Sequence, residues 1–240
     1  MPAASAPPPP SLAARTDVRG MFDRIAGRYD AANRVMSAGV DKRWRKQALL
    51  PLLETAGAAP CLLDLGAGTL DGSIEIARRA PGARVAAADF AQQMLRVGVG
   101  KVPAPACVAP HGADGHHLPY RAQVFDGAFS AFCVRNLVNR PQAFAELRRV
   151  LKPGARLVVL EFFRPERPRF FFDRLYNKHI LPLVGWAVTG DRDAYRYLPD
   201  SIAAFASRRE VQGELEAAGF ASVTGRELFP AGVASLVVAQ

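Results

Sequence analysis

The chain has 240 residues, half of them hydrophobic, and its 31 lysines and arginines outnumber 22 acidic residues to give a net charge of +9. This length suits one domain, and the composition excludes a chain that is disordered throughout. The basic excess is compatible with a nucleic acid, an anionic membrane surface or an anionic ligand, and charge alone does not choose among them.

The N-terminal segment differs in composition from the rest of the chain. Four consecutive prolines stand at residues 7–10 among alanines and serines, so a disordered tail is predicted over 1–15 and a single domain over 16–240. No apolar run reaches the roughly 18 residues of a membrane span. We therefore expect a cytoplasmic protein.

Helices and strands are predicted to alternate along the chain. Apolar spacing predicts helices at 17–36 and 41–55, with Asp41 as the N-cap of the second. The predicted strands lie at 61–65, 84–88, 107–108, 124–132, 156–162, 220–228 and 232–239, and the further helices at 71–80, 92–99, 141–151 and 207–218. This alternation predicts an α/β fold with a largely parallel sheet and helices on both faces. The aromatic and basic segment 163–206 interrupts it and is predicted to be a helical insertion.

A glycine-rich turn follows the first predicted strand. Gly66-Ala67-Gly68 lets the backbone turn sharply and approach a ligand closely. Asp89 ends the next strand, 25 residues after Asp64, where a carboxylate can accept both hydroxyls of a ribose. These residues predict a nucleotide-type site, and a tight turn without a ligand is the alternative.

The turn departs from the pattern typical of dinucleotide sites. Its glycines are spaced G-x-G-x-x-x-G over residues 66–72, whereas the dinucleotide pattern is G-x-G-x-x-G. Asp64 would repel a pyrophosphate but could hold the amino or sulfonium end of S-adenosylmethionine. Asp114, followed by Gly115, comes after the third strand, where an aspartate can hydrogen-bond an adenine amino group. S-adenosylmethionine is therefore favoured over a dinucleotide.

Metal and disulfide chemistry are not expected. Cys61, Cys107 and Cys133 form no CxxC pair, which favours small buried thiols over a disulfide framework or a zinc site. His116 and His117 are adjacent and lack a third ligand at suitable spacing, so no metal is expected there.

Three further stretches are more specific than a nucleotide-type turn. They are Met21–Ser37, which contains Tyr29-Asp30 and Asn33, Phe132–Leu137, which contains Arg135-Asn136, and Asp193–Ile202, which contains Tyr195-Arg196-Tyr197-Leu198. In this order they resemble the ubiquinone/menaquinone biosynthesis C-methyltransferase family, and the resemblance covers nearly the whole chain from residue 17. It implies a class I methyltransferase fold of seven strands with the last antiparallel, S-adenosylmethionine as donor, and a polyprenylated quinol as acceptor.

The turn and the resemblance together assign the cofactor to nine residues around the strand ends: Asp64, Gly66, Gly68, Thr69, Asp89, Phe90, Asp114, Gly115 and Ala131. Two positions depart from the family. Ala131 stands where the family usually has serine, so a hydroxyl contact is missing. Leu70 stands where the family has glycine, and its side chain would crowd the loop unless it points away.

The resemblance also implies catalytic residues. Methylation at a ring carbon needs an electron-rich ring, which the loss of a hydroxyl proton provides without a metal. Arg135 is expected to stabilise the phenolate or relay its proton through water, with a structural salt bridge as the alternative. Asn136 is expected to orient the other oxygen, and Tyr29 to line the ring site unless it only packs. Substrate binding is assigned to three aromatic residues of the insertion: Trp186, Tyr195 and Tyr197.

The insertion suggests partners as well. Phe170–Phe172 could shelter a polyprenyl tail and the neighbouring arginines could meet anionic headgroups, with an ordinary cap over the sheet as the alternative. We therefore expect transient contact with an anionic membrane surface, and a homodimer stays open. The rival functions are a methyltransferase acting on oxygen or nitrogen of another small molecule and a basic RNA-binding module. The aliphatic strands disfavour the latter, so no nucleic-acid partner is expected.

Overall fold

A computed structural model describes residues 12–166, 192–228 and 233–240, with side chains from 18 onward and, in the second range, from 197 onward. Trp186 and Phe170–Phe172 lie outside the described residues, and so does the side chain of Tyr195. Within the described part of the chain, no helix combines the length and the apolar character needed to cross a membrane.

The core of the fold is one seven-stranded sheet. Its strands are β1 (Cys61–Leu65), β2 (Arg84–Asp89), β3 (Cys107–Gly112), β4 (Phe125–Ala131), β5 (Leu151–Glu161), β6 (Val223–Glu227) and β7 (Ser235–Ala239). They lie in the order β3-β2-β1-β4-β5-β7-β6, with β1 to β5 parallel and β7 antiparallel to both of its neighbours. This arrangement confirms the predicted α/β fold and the antiparallel last strand.

Helices cover both faces of the sheet. They are α1 (Leu12–Met36), α2 (Val40–Leu53), α3 (Asp71–Arg79), α4 (Gln92–Val99), α5 (Arg140–Val150), α6 (Arg192–Ala204) and α7 (Arg208–Ala217), with a 3-10 turn at Val134–Asn136. On one face, Phe144 and Leu147 of α5 pack with Val211 and Leu215 of α7. On the other face, α2 and α3 bury Trp44, Leu49, Leu52 and Ile76. The two clusters enclose the sheet as predicted.

The N-terminal helices differ from the prediction at both of their starts. Helix α1 begins at Leu12, five residues before its predicted start at 17, because Leu-Ala-Ala-Arg is a run of strong helix formers. Asp41 is not an N-cap. Gly39 takes that position in a left-handed conformation, and Asp41 lies inside the first turn, where it accepts hydrogen bonds from Ser37 Oγ (2.7 Å) and Arg45 (3.1 Å).

Strand boundaries shift where the sheet overrides local signals. β5 starts at Leu151 and includes Lys152–Gly154, which lie between the helix predicted at 141–151 and the strand predicted at 156–162. The segment bulges out of β5, because Phe125 pairs with Leu151 whereas Gly127 already pairs with Arg156. β3 has six residues where two were predicted, because its pairing with β2 extends from Cys107 to Gly112.

The topology places several candidate residues at one edge of the sheet. β1 is flanked by β2 on one side and β4 on the other, so the chain order reverses around β1. In parallel sheets ligands bind outside the carboxyl ends of the strands at such a point. Leu65, Asp89 and Ala131 end the three strands there.

Candidate cofactor and substrate site

A pocket of about 360 Å³, part of it open to solvent, lies at the carboxyl ends of β1, β2 and β4. Helix α1 forms one of its walls. The lining residues are Phe22, Tyr29, Gly66, Gly68, Asp89, Phe90, Ala91, Met94, Ala131, Phe132, Cys133 and Asn136. The fold therefore brings seven of the predicted site residues together: Tyr29, Gly66, Gly68, Asp89, Phe90, Ala131 and Asn136.

The glycine turn is shaped by its backbone. Gly66 and Gly68 both have positive φ, at 74° and 53°, a conformation that glycine adopts without steric cost. A side chain at Gly66 would also overlap the Cys133 side chain. The Gly66 N–H donates to Ala88 O at 2.8 Å. The turn is thus held against the end of β2.

Asp89 is the charged group of the pocket. It is 7% exposed, and its Oδ1 and Oδ2 accept backbone N–H bonds from Ala91 (2.7 Å) and Gly68 (2.8 Å). Burial raises its pKa, although these bonds act in the opposite direction. Each oxygen of a carboxylate can accept a further bond, so Asp89 can still receive the hydroxyls of a ribose.

The chemistry of the pocket wall discriminates between the two candidate ligands. Among the described lining residues the one carboxylate is Asp89, and no lysine or arginine is present. A pyrophosphate would meet no cation there, whereas a sulfonium cation is compatible with an acidic, otherwise neutral wall. The residues present fit S-adenosylmethionine.

Asp64 lies beneath the turn and does not line the pocket. It is 2% exposed and accepts a hydrogen bond from Ser73 Oγ at 2.6 Å. Burial raises its pKa to about 6. A Cβ on Gly72 would lie 2.9 Å from its Oδ2, so the carboxylate packs directly against α3. In this place its side chain holds the start of α3 in position.

Thr69 is turned toward α1. Its side chain is buried, and its Oγ1 donates to Asp30 Oδ1 at 2.5 Å. It therefore lies next to the pocket without lining it, and its hydroxyl connects the glycine turn to α1.

Leu70 points away from the pocket. It is fully buried against Ala67, Ala87 and Leu95, and its φ of 66° is left-handed. A left-handed position explains why glycine suits it. The Leu70 side chain was expected to crowd the cofactor loop unless it points away from it. The structure shows that it points away.

Asp114 is fixed by its neighbour His116. Its Oδ1 accepts hydrogen bonds from the His116 backbone N–H at 2.9 Å and from Nδ1 at 2.5 Å. The Nε2 of His116 accepts the Asn139 backbone N–H, so the ring carries its proton on Nδ1. Asp114 and Gly115 do not line the pocket. Around His116 and His117, as elsewhere in the described residues, no three histidine, cysteine, aspartate or glutamate side chains come together to hold a metal ion.

Arg135 belongs to a buried ion pair. Its guanidinium, 5% exposed, donates through Nη1 to Glu161, which has no exposed surface. Its Nε donates to Ser201 Oγ at 2.9 Å. Burial raises the pKa of Glu161 even though Arg135 opposes the change. The structural salt bridge named as the alternative for Arg135 is present, and its catalytic role stays a prediction.

Asn136 links the pocket to the insertion. Its Oδ1 accepts a hydrogen bond from Tyr197 on α6 at 2.8 Å, and burial raises the pKa of that tyrosine. Tyr197 does not line the pocket. It contacts a lining residue, Asn136, and its role in binding the substrate stays a prediction.

Five lining residues were not predicted: Phe22, Ala91, Met94, Phe132 and Cys133. Phe22 stands seven residues before Tyr29, two helical turns away on the same face, and the two rings meet edge to face at 6.0 Å. Phe132 and Cys133 directly follow β4. The seven-residue spacing of Phe22 and Tyr29, and the position of Phe132 and Cys133 at the end of a predicted strand, could have indicated these residues from the sequence. Burial raises the pKa of the Cys133 thiol, which keeps it neutral and weakly nucleophilic.

Comparison with known proteins decides which family uses this site. The model of the ubiE/COQ5 methyltransferase family matches residues 11–240. The chain belongs to this family. It is 44% identical over 214 residues to the ubiquinone/menaquinone biosynthesis C-methyltransferase UbiE of Syntrophotalea carbinolica, covering 88% of this chain and 89% of that one. It is 42% identical over 220 residues to a demethylmenaquinone methyltransferase of Thermus thermophilus, covering 91% and 98%.

Solved structures agree with the ubiE/COQ5 assignment at the level of the fold. A SAM-dependent methyltransferase of Thermotoga maritima superimposes with a TM-score of 0.61 at 16% identity, covering 92% of this chain and 98% of that one. The [4+2]-cyclase SpnF superimposes at 0.64 with 18% identity, covering 93% and 78%. Because a cyclase shares the fold, the fold alone does not fix the reaction. Family membership confirms the predicted class I fold and the predicted methyltransferase activity with S-adenosylmethionine as the donor.

Proposed function

We propose that this ubiE/COQ5 family member methylates a ring carbon of a polyprenylated quinol in quinone biosynthesis. The observation that carries the proposal is the two-sided pocket. Asp89 and the glycine turn form its cofactor side, and Tyr29, Phe132 and Asn136 form an aromatic and amide wall beside it. An aromatic ring with two oxygens is complementary to that wall. The names of the relatives, demethylmenaquinone methyltransferase and UbiE, support the same substrate class.

The cofactor side needs few groups. S-adenosylmethionine, when bound, supplies an electrophilic methyl group. Asp89 would hold the ribose hydroxyls, and the backbone of Gly66 and Gly68 would allow close approach of the ligand. The chain then has to exclude water and orient the acceptor ring.

The acceptor side favours a deprotonated quinol. Since Oδ1 of Asn136 accepts from Tyr197, the amide presents its N–H donors on the other side, where a quinol oxygen would be bound. An N–H donor stabilises charge on a phenolate oxygen. Arg135 adds positive charge behind Asn136, partly offset by Glu161. These groups raise the nucleophilicity of the ring by lowering the cost of losing the hydroxyl proton.

The test uses labelled S-adenosylmethionine with three acceptors: a short-chain demethylmenaquinol, a demethylated benzoquinol, and an aromatic amine. We expect label on a ring carbon of at least one quinol, located by NMR of the product. Label only on oxygen or nitrogen, or on the amine alone, would contradict the proposal.

A pair of carboxylate variants controls for general damage to the fold. Asp89→Asn should lower transfer at least tenfold, because the pocket loses its anion. Asp126→Asn changes a carboxylate that pairs with Lys152 at the opposite end of the sheet and should leave transfer within about twofold. Equal losses in both variants would show that Asp89 acts only through stability.

We further propose transient contact of α1 and α2 with an anionic membrane. Both helices expose basic side chains next to exposed apolar ones: Arg24, Arg28, Arg34, Lys42, Arg43 and Lys46 beside Val35 and Leu50. Such a surface is attracted to anionic headgroups within a Debye length, and a prenylated acceptor is lipid-soluble.

Liposome sedimentation tests this contact. Anionic vesicles should pellet the protein at low salt and release it as salt rises, and neutral vesicles should not pellet it. Lys42→Glu with Lys46→Glu should weaken pelleting, whereas Arg84→Glu, on the far end of β2, should not. Absence of pelleting with anionic vesicles at low salt contradicts the proposal.

A further inference from the structure

We propose that α1 is a fastened lid on the cofactor pocket, and that Asp30 and Lys101 are the positioning residues that fasten it. The inference rests on the assignment of the pocket to the cofactor and does not depend on the acceptor. It concerns Asp30 and Lys101, two residues to which the proposed function gives no role.

Helix α1 repeats an aromatic–acid pair at a spacing of seven residues: Phe22-Asp23 and Tyr29-Asp30. Seven residues are two helical turns, so equivalent members lie on the same face. Both rings line the pocket. Between them Ala26, 3% exposed, packs on Ala91 and Met94 of the opposite wall. The helix thus covers the pocket with two rings and a close apolar contact.

The two acids fasten the helix to the elements below it. Asp23 Oδ1 accepts the Gln93 backbone N–H at 3.0 Å, in the first turn of α4. Asp30 Oδ1 accepts Thr69 Oγ1 at 2.5 Å, and its Oδ2 accepts Lys101 Nζ at 2.6 Å. The helix is therefore attached to α4 near one ring and to the cofactor loop near the other.

Lys101 joins the lid to the loop by a second route. Its Nζ donates to Asp71 Oδ1 as well, at 2.6 Å. Asp71 is the first residue of α3, directly after the glycine turn. One ammonium group thus bridges an acid of the lid and the acid with which α3 begins, next to the glycine turn. Displacement of α1 separates Lys101 from Asp30.

The ion pairs of Lys101 with Asp30 and Asp71 are weak enough for α1 to move away from the pocket. The side chains of Asp30, Lys101 and Asp71 are 25%, 30% and 32% exposed, so water screens their attraction and each bond contributes modestly. Because Asp30 adjoins Tyr29, its loss also frees the ring that lines the pocket. We therefore expect the fastening to control the rate at which the cofactor product leaves.

The experiment measures dissociation of S-adenosylhomocysteine from the full-length protein by stopped-flow displacement. Asp30→Asn and Lys101→Met should each raise the dissociation rate about fivefold to twentyfold. The double variant should be no faster than the more affected single variant by more than about twofold, because both changes break the same Asp30–Lys101 contact. Lys101→Arg, which keeps the charge, should recover most of the slow dissociation.

Lys152→Met is the matched control. It removes a lysine ion pair of the same length, 2.6 Å to Asp126, far from the pocket, and should leave dissociation within about twofold of the parent. If Asp30→Asn and Lys101→Met change dissociation no more than this control does, the proposal is wrong.

Amide hydrogen exchange covers the case in which a variant fails to fold. In the parent protein, S-adenosylhomocysteine should slow exchange over residues 21–36, and equal exchange with and without it overturns the proposal. Neither readout uses methyl transfer. A protein that binds the cofactor product as expected but methylates no quinol would therefore contradict only the proposed function.

Discussion

Leu70 occupies space that exists because residue 98 is glycine. A Cβ built on Gly98 would overlap Cγ of Leu70 and would lie 2.7 Å from the carbonyl carbon of Thr69. Leu70 is fully buried, so its side chain fills the gap between the cofactor loop and α4. This pairing explains how the chain accommodates a bulky residue in a left-handed position of its cofactor loop.

The first prediction concerns Gly98→Ala. We expect the free energy of unfolding to fall by about 1–3 kcal/mol, because the added methyl group overpacks a site closed by Leu70 and by backbone. Urea denaturation measures it. Gly27→Ala is the matched change on α1, where nothing lies within 4 Å of the new Cβ, and it should stabilise the protein by up to about 1 kcal/mol. Equal effects in the two variants would contradict the packing argument.

Much of the fold could be predicted from local sequence. The strands β1 and β2 and the helix α4 were predicted to within a residue, because their apolar runs end at glycine, proline or aspartate. Boundaries failed where pairing or tertiary contact decides. β3 extends because β2 offers it a partner, and Asp41 lost its capping role because Gly39 can adopt the left-handed turn.

The site was predictable where strand ends determine it. Gly68 and Asp89 follow from their position at the sheet edge, and the two are joined by a 2.8 Å hydrogen bond. Contacts between distant segments could not be predicted. Nothing local indicates that Thr69 donates to Asp30, 39 residues away, or that Arg135 forms an ion pair with Glu161.

The second prediction is a pH dependence that Asp64 imposes on stability. Burial raises its folded-state pKa from 3.8 to about 6, so its contribution to stability is complete below pH 4 and is lost as the pH rises through 6. The shift corresponds to about 3 kcal/mol. Between pH 4 and pH 7 the free energy of unfolding of the parent protein should therefore fall by about that amount relative to that of Asp64→Asn. Urea denaturation at each pH measures both.

Asp126→Asn controls for the sign of this effect. Burial acts to raise the pKa of Asp126, but hydrogen bonds from Lys152 and from the Cys61 backbone N–H lower it. The parent protein should thus lose stability relative to Asp126→Asn as the pH falls below 4. A parallel trend in both variants would refute the assignment of the Asp64 effect to burial.

The third prediction separates the structural from the catalytic role of Arg135. Glu161→Gln should lower the free energy of unfolding by about 3–5 kcal/mol, because it leaves a buried guanidinium without its anion. Ser201→Ala removes the acceptor of Arg135 Nε together with the hydrogen bond from Ser201 Oγ to Leu198 O, but leaves the ion pair, and should lower the free energy of unfolding by about 1 kcal/mol. Chemical denaturation distinguishes these losses.

The double variant Arg135→Met with Glu161→Leu completes this comparison. Removing both charges should restore most of the stability that either single change loses. If Arg135 stabilises the phenolate, the folded double variant should still bind S-adenosylhomocysteine yet transfer methyl at least a hundredfold more slowly. Transfer at the parental rate would leave Arg135 with a structural role alone.

The last prediction concerns the hydrogen bond between α6 and the pocket. Tyr197→Phe removes the donor to Asn136 Oδ1 and should lower the rate of methyl transfer about tenfold, with unchanged affinity for S-adenosylhomocysteine, because the freed amide no longer holds its N–H groups toward the acceptor. Steady-state kinetics and calorimetry measure the two effects.

Tyr120→Phe is the matched control for Tyr197→Phe. The Tyr120 hydroxyl is buried without a hydrogen-bond partner among the described residues, so its removal should leave transfer unchanged and raise stability by about 1 kcal/mol. Equal rates in the two variants would show that Asn136 needs no anchor.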